Sequence, residues 1–369
     1  MVAAGACATA SFAGDPFQRI QKRSAGELPA RLGTYYEDKV PDTLDLAERG
    51  KLGINYFSGI LEPKLDFEMY FSCNFRQYST ATLWTHITSL GACQEKAMEA
   101  MAMERLMSGS QQGLAEESRM VQLLASLQGD DGLLWLPAKT ARKPWLGNEP
   151  LAMVHGQGRF LRAMLAWYQY TGDPIWKNRI DKLVDGLDRL MVVHKDDYAY
   201  FPIKGYYPGE YLRSCYTKRG WADTSEPANE KAGEEGSLFN HQAHIAGCLA
   251  SWHGLSGNEQ AIRLSAELVR FLIKPQFWAD YKGGDYPGVA GAQHAHYTGH
   301  PCGHLNVLRA ILDYAVVAND ARLKQFARDG YEWTRQKVFS RIGWVGDDQG
   351  CNGGRLLGLA VKLSYLDPA

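Results

Sequence analysis

Apolar positions along the chain recur mostly at helical spacing. Between residues 42 and 60, Leu44, Leu46, Ala47, Leu52, Ile54 and Phe57 fall on one face, predicting a helix over 42–60 with Asp42 as its N-cap. Residues 80–107 are rich in Met, Ala and Leu and predict a long helix that Gly91 splits, followed by another over 112–127. Three helical hairpins come next. They pair 151–170 with 174–193, 240–255 with 258–273, and 303–317 with 320–338. Their turns carry the residues such turns need. Thr171-Gly172-Asp173-Pro174 offers a glycine C-cap and a proline at the first helical position, and Ser256-Gly257 and Asn319-Asp320 play the same part. A last apolar helix is predicted over 352–366.

In each hairpin the first helix is apolar and the second more charged. Such units bury their apolar faces on one another, and closing the array into a ring removes its open ends. The pattern predicts an all-α fold, an (α/α)6 toroid of helical hairpins spanning 42–369, after an irregular segment 1–41. Glycine and proline gather in the long connections 137–150, 205–236 and 282–303.

Composition narrows the partners. The 369 residues are 45% hydrophobic and 22% charged, a globular balance. Forty Lys plus Arg against 41 Asp plus Glu leave a net charge of -1, which speaks against nucleic acid and against a polybasic membrane anchor. No apolar run is long enough to span a bilayer. The first sixteen residues lack a basic start and a strong apolar stretch, so they read as a ragged or trimmed terminus and not as an intact signal peptide. The seven cysteines are odd in number, widely spaced and without a CxxC. Reduced thiols and a cytoplasmic location follow as the expectation, with no four-cysteine zinc site.

Polar clusters sit at or just before the starts of the apolar first helices. They are His155-Gly156-Gln157-Gly158-Arg159, Asn240-His241-Gln242-Ala243-His244, His300-Pro301-Cys302-Gly303-His304 and Asp347-Asp348-Gln349-Gly350-Cys351-Asn352. In a toroid the inner helices run parallel, so these clusters are expected around one mouth, where helix N-termini favour anionic or hydroxyl-rich ligands. Each histidine alone could simply cap a helix; their positional recurrence favours a pocket. His241/His244 and His300/His304 each share a helix face, a spacing that suits hydrogen bonds to sugar hydroxyls better than a zinc site lacking HExxH. Asp131 opens a turn leading to Trp135, which reads either as a solvated turn or as a cleft wall with a stacking ring. The alternation in Asp66-Phe67-Glu68-Met69-Tyr70-Phe71 suggests a short extended segment. Glycoside cleavage draws on two spaced carboxyl groups. Candidates are Asp66, Glu68, Asp131, Glu234, Glu235, Asp285, Asp347 and Asp348. Asp347 and Asp348, being adjacent, point opposite ways in an extended segment. Motifs for nucleotide binding or a serine nucleophile are absent.

Asp45-Leu46-Ala47-Glu48-Arg49, the Asp66-to-Phe71 segment, the hairpin over 303–333 and Gly343-Trp344-Val345 resemble the β-L-arabinofuranosidase-like group, glycoside hydrolase family 127 and its uncharacterised relatives. The resemblance implies an (α/α)6 barrel and a glycosidase or related carbohydrate activity. Many relatives carry Glu-Thr-Cys where this chain has Gln349-Gly350-Cys351, and in characterised members that Glu and Cys help hold zinc. Cys351 matches the cysteine, but Gln349 replaces the carboxylate, and the downstream cysteines and β-sandwich region have no counterpart here. The expectation is therefore a glycoside hydrolase without metal or cofactor, acting on a small glycoside or oligosaccharide, arabinosyl or uronosyl among the possibilities. Asp347, Asp348, Glu68 and His241 are the catalytic candidates. His155, His244, His300, His304, Asp131, Trp135, Trp344, Gln349 and Cys351 are the substrate-binding ones. A sugar epimerase or polysaccharide lyase on the same toroid, or a non-catalytic carbohydrate-binding relative, are the alternatives.

Overall fold

The computed structural model describes residues 45–74, 82–85, 89–144, 146–195, 197–202, 210–217, 220–221, 224–228, 237–278, 295–297, 301–337 and 351–366. Among these residues are ten α-helices: α1 (Leu46–Gly59), α2 (Gln94–Ser108), α3 (Leu114–Ser126), α4 (Val154–Thr171), α5 (Pro174–Leu190), α6 (Ser237–Ser256), α7 (Glu259–Leu272), α8 (Pro301–Val317), α9 (Ala321–Lys337) and α10 (Cys351–Leu366). Helices α2, α4, α6, α8 and α10 pack side by side in that order as an inner shell. Helices α3, α5, α7 and α9 each lie outside the helix they follow, and α1 packs on α2. The architecture is an (α/α)6 toroid.

Side-chain chemistry fixes the hairpins. Gly172 takes the left-handed conformation (φ 69°), Asp173 caps the amide of Ile175, and Pro174 opens α5. Gly257 (φ 74°) and the Asn258 cap on Ala261 repeat the design before α7. Core residues run continuously between the shells. Trp252, Trp278, Phe160, Phe201, Phe239 and Phe271 are fully buried.

Several boundaries differ from the periodicity. Helix α1 begins later than expected because Asp45, not Asp42, accepts from the amides of Ala47 and Glu48; Asp42 lies outside the described residues. The long helix over 80–107 resolves into a strand (Thr82–Trp84), a π-turn (Ser89–Cys93) containing Gly91, and α2. Leu151–Met153 is a strand pairing with Glu210–Leu212, and Val192–His194 pairs with Tyr198–Tyr200. These short apolar runs fit a helix or a strand equally in sequence, and a cross-strand partner decides. Segment Asp66 to Phe71 is only partly extended. Asp66 and Phe67 are left-handed (φ 61° and 65°), and only Glu68–Met69 pairs, with Leu61–Glu62.

Candidate functional site

The inner helices present their polar side chains inward in stripes one turn apart. Helix α4 carries His155, Arg159 and Arg162; α6 carries His241, His244 and Cys248; α8 carries Cys302 and Arg309; α10 carries Cys351, Arg355 and Lys362. Spacings of three, four and seven keep each set on one face. Charges on non-adjacent helices act on each other: Glu99 of α2 on Arg309 of α8, and Arg355 of α10 on His155 of α4. These faces therefore share one lumen.

Three histidines meet near the starts of α4 and α6, His155 partly exposed and His241 and His244 buried. The rings of His155 and His241 stack at 4.4 Å between centroids with 6° between planes, and His155 and His244 lie 5.4 Å apart at 16°. Gly158 permits this approach of α6 to α4, since a Cβ there would stand 2.6 Å from the Cβ of His244. Arg159 Nε donates to His155 Nε2 at 3.2 Å, so the neutral ring carries its proton on Nδ1. Burial pushes His155 well below the usual imidazole range, and His241, Arg159, Lys96 and Arg355 push the same way. Burial lowers His244 likewise, reinforced by Arg159 and Arg355. Both rings are neutral at pH 7. Neither ring nitrogen of the fully buried His244 has a hydrogen-bond partner among the described residues.

Carboxyl and thiol groups border this stack. Glu95, wholly buried on α2, is raised well above the usual carboxylate range by burial, against the pull of Lys96 and Arg159. Glu99 follows one turn on. Burial raises the Cys302 thiol to about 11, with Arg355 opposing and the hydrogen-bonded Cys351 thiol adding to the rise. Cys302 is a thiol at neutral pH, and Cys351 is exposed beside it. Among the described residues no three His, Cys, Asp or Glu side chains are placed to hold a metal.

The expected single gathering of four clusters divides. His155, His241 and His244 come together. His304 does not join them: its Nε2 meets the Phe277 carbonyl at 3.1 Å, and its ring stacks on Tyr297 at 4.2 Å within an aromatic group that includes Phe239 and Trp278. The segment 275–278 draws it away from the lumen. Asp131 and Trp135 lie against the outer helix α5. Asp131 accepts from Trp135 Nε1 at 3.0 Å and pairs with Arg213 at 3.0 Å, and Arg213 covers the Trp135 ring at 4.4 Å. This ring face is already occupied. Glu68 is fully buried and pairs with Lys143 at 2.9 Å. Asp347, Asp348, His300, Trp344 and Gln349 lie outside the described residues.

The lumen adds Lys96, Arg162, Arg309, Arg355, Lys362 and Glu95 to the sequence candidates. Their signal was the polar repeat inside apolar helices, as in Cys351, Arg355 and Lys362. A cleft of about 700 Å³ lies elsewhere, on the outer shell between α7 and α9, lined by residues such as Val269, Ile273 and Phe326.

No family model and no curated protein matches this chain. Solved structures match its fold. A D-mannose isomerase aligns with a TM-score of 0.51 at 10% identity, covering 86% of this chain and 87% of its own. The unsaturated glucuronyl hydrolase of Bacillus sp. GL1 aligns at 0.49 and 12% identity, over 76% and 75%. The family 127 β-L-arabinofuranosidase of Geobacillus stearothermophilus T6 aligns at 0.48 and 14% identity, over 97% of this chain and 53% of that one. No helix among the described residues is long and apolar enough to cross a membrane.

Proposed function

We propose that this protein is a carbohydrate-active enzyme whose active site is the lumen mouth at His155, His241 and His244. One observation carries the reading: imidazoles from two helices are stacked and held neutral by burial. A neutral imidazole accepts a proton, and a neighbouring ring can return it. That arrangement suits isomerisation or epimerisation of an open-chain sugar. One ring takes the proton from the carbon beside the carbonyl. The C–H electron pair moves into the C–C bond, and the carbonyl oxygen gains the negative charge, which the Arg159 guanidinium beside His155 would stabilise. The proton then returns to the former carbonyl carbon, with the hydroxyl proton passing from O2 to O1, or to the opposite face of the carbon it left. A D-mannose isomerase and several glycoside hydrolases share the fold, and they lend support to a carbohydrate substrate without choosing the sugar.

Glycoside hydrolysis is the second reading, and Glu95 favours it. A carboxyl kept protonated can protonate a leaving oxygen while water adds to the anomeric carbon and a carboxylate such as Glu99 takes the proton of that water. Glu95 is wholly buried, whereas His155 is only partly so, and this places the imidazoles nearer a ligand. Incubating the folded protein with aldoses and ketoses in deuterium oxide, and in parallel with aryl glycosides, separates the two. Deuterium at the carbon beside the carbonyl supports the first, release of aglycone the second, and inertness toward both panels refutes both.

A further inference from the structure

Below the histidines the lumen is strongly basic. Lys96, Arg159, Arg162, Arg309, Arg355 and Lys362 converge from four inner helices. Among the described residues one of the six is in an ion pair, Lys362 with Asp313 of α8. Glu99 is the other acid whose charge reaches them, while burial holds Glu95 toward its neutral form. A chain whose overall charge is -1 has thus gathered a local excess of cations. They are close enough to repel one another. Burial and the neighbouring Arg355 and Arg162 lower Arg159 to about 9, and burial with Arg309 and Arg162 lowers Lys362 to about 8.

Arg159 is buried, Arg162, Arg309, Arg355 and Lys362 are partly buried and Lys96 is exposed, and a cation withdrawn from water without a counter-charge is costly unless something pairs with it. The Nε of Arg309 is buried and has no hydrogen-bond partner among the described residues, and both ring nitrogens of His244 are in the same state. From His155 to Arg162 is seven residues, about 10 Å along the helix at 1.5 Å per residue. Imidazoles thus stand at the mouth and guanidinium groups one and two turns beneath.

We infer that the lumen beneath the imidazoles binds an oxyanion, and, resting on the carbohydrate reading above, that the sugar taken there carries a phosphate, sulfonate or carboxylate group at the end away from the reacting carbon. Guanidinium forks match such groups two oxygens at a time. The sugar then hangs head-up, with its reactive carbon at the stacked rings.

Calorimetry on the full chain tests this with inorganic phosphate, glucose 6-phosphate and glucose. Phosphate and glucose 6-phosphate are expected to bind, more weakly as salt rises, and glucose to bind far less tightly. Arg309→Gln and Arg162→Gln, each checked for a native melt, are expected to weaken phosphate by about tenfold or more, the loss of a charge-assisted pair. Failure of phosphate to bind at millimolar concentration, or equal affinity in the wild type and both folded variants, overturns the inference. Phosphate binding without turnover of any sugar would keep the anion well and sink the enzymatic reading. Turnover of neutral sugars without phosphate binding would do the reverse.

Discussion

His155 of α4 and His241 of α6 lie face to face at 4.4 Å, nearly parallel. Two cationic rings at that distance would repel, so the pair holds at most one proton with ease. Replacing His241 with Ala is expected to lower turnover by about 10²- to 10⁴-fold, the usual weight of a general acid–base group, with a much smaller change in KM. Steady-state kinetics on whichever sugar shows deuterium uptake checks this. A KM effect alone would make His241 a binding group.

Acid sensitivity of the fold follows from His244. Its folded-state pKa is depressed, so its contribution is complete above the unfolded value near 6.5 and is lost as the pH falls from there through the folded value. Between those limits the wild type is expected to lose about 1.4 kcal/mol per pH unit more than His244→Asn, one proton's worth. Urea melts at several pH values from about 7 down to 5 measure the two slopes. Equal slopes would show that His244 is solvated after all.

Much of this architecture was legible in the sequence. The Gly172-Asp173-Pro174 and Gly257-Asn258 turns announced their hairpins because each residue solves a local backbone problem that no tertiary contact alters. The histidine trio was legible too, since it recurs at helix starts. His304 shows where that logic stops. It has the same sequence setting as His244, but whether a ring faces the lumen or the shell behind depends on which aromatic side chains the distant segments 275–278 and 295–297 bring up. Asp131 and Trp135 also suit a cleft in sequence, and it is Arg213, eighty-two residues on from Asp131, that occupies them. The basic lumen was hidden for a different reason. Its cations are spread over the whole chain and offset by as many acids, so net charge does not reveal them, and the polar repeat inside the apolar inner helices is the mark they leave.

Glu95 is buried against its electrostatic interest. Its folded pKa is raised, so the favourable contribution of its protonated form is complete below the unfolded value and is lost as the pH rises through the folded one. Glu95→Gln keeps the shape and removes the ionisable group. At neutral pH the variant is expected to be more stable by roughly 1 kcal/mol. The gain should vanish on acidification toward pH 4. If the carboxyl also serves as a proton donor, the variant gains stability while losing aglycone release. A loss of stability at pH 7 would mean that the carboxyl is paired.

The contact of α4 with α6 depends on Gly158. An alanine there places its Cβ 2.6 Å from the His244 Cβ and 3.1 Å from the backbone nitrogen of Ile245. Backbone atoms cannot swing aside as a flexible side chain can, so the helices must separate. Gly158→Ala is expected to cost about 1–3 kcal/mol, the usual price of overpacking, and to weaken the stacking of His155 on His244. Thermal melts read the first effect, and histidine ring chemical shifts read the second. A neutral substitution would show that α6 is free to slide along α4.

Lys143 and Glu68 form a pair removed from the lumen chemistry. Glu68 is wholly buried and Lys143 is 7% exposed, with Nζ and Oε2 2.9 Å apart, while Asp66 at 3.9 Å stands largely in solvent. Losing one partner leaves the other charge in a place water cannot reach. Lys143→Met is therefore expected to cost about 3–5 kcal/mol. Adding Glu68→Gln to Lys143→Met removes the carboxylate charge that Lys143 had answered and should recover a large part of that loss, because the neutral amide has no charge to desolvate. The double-mutant cycle thus carries a sign as well as a size. Additive losses would mean that the two side chains are stabilised separately. If Glu68 instead served as a catalytic carboxylate, Glu68→Gln would abolish turnover at unchanged stability, an outcome that the paired geometry argues against.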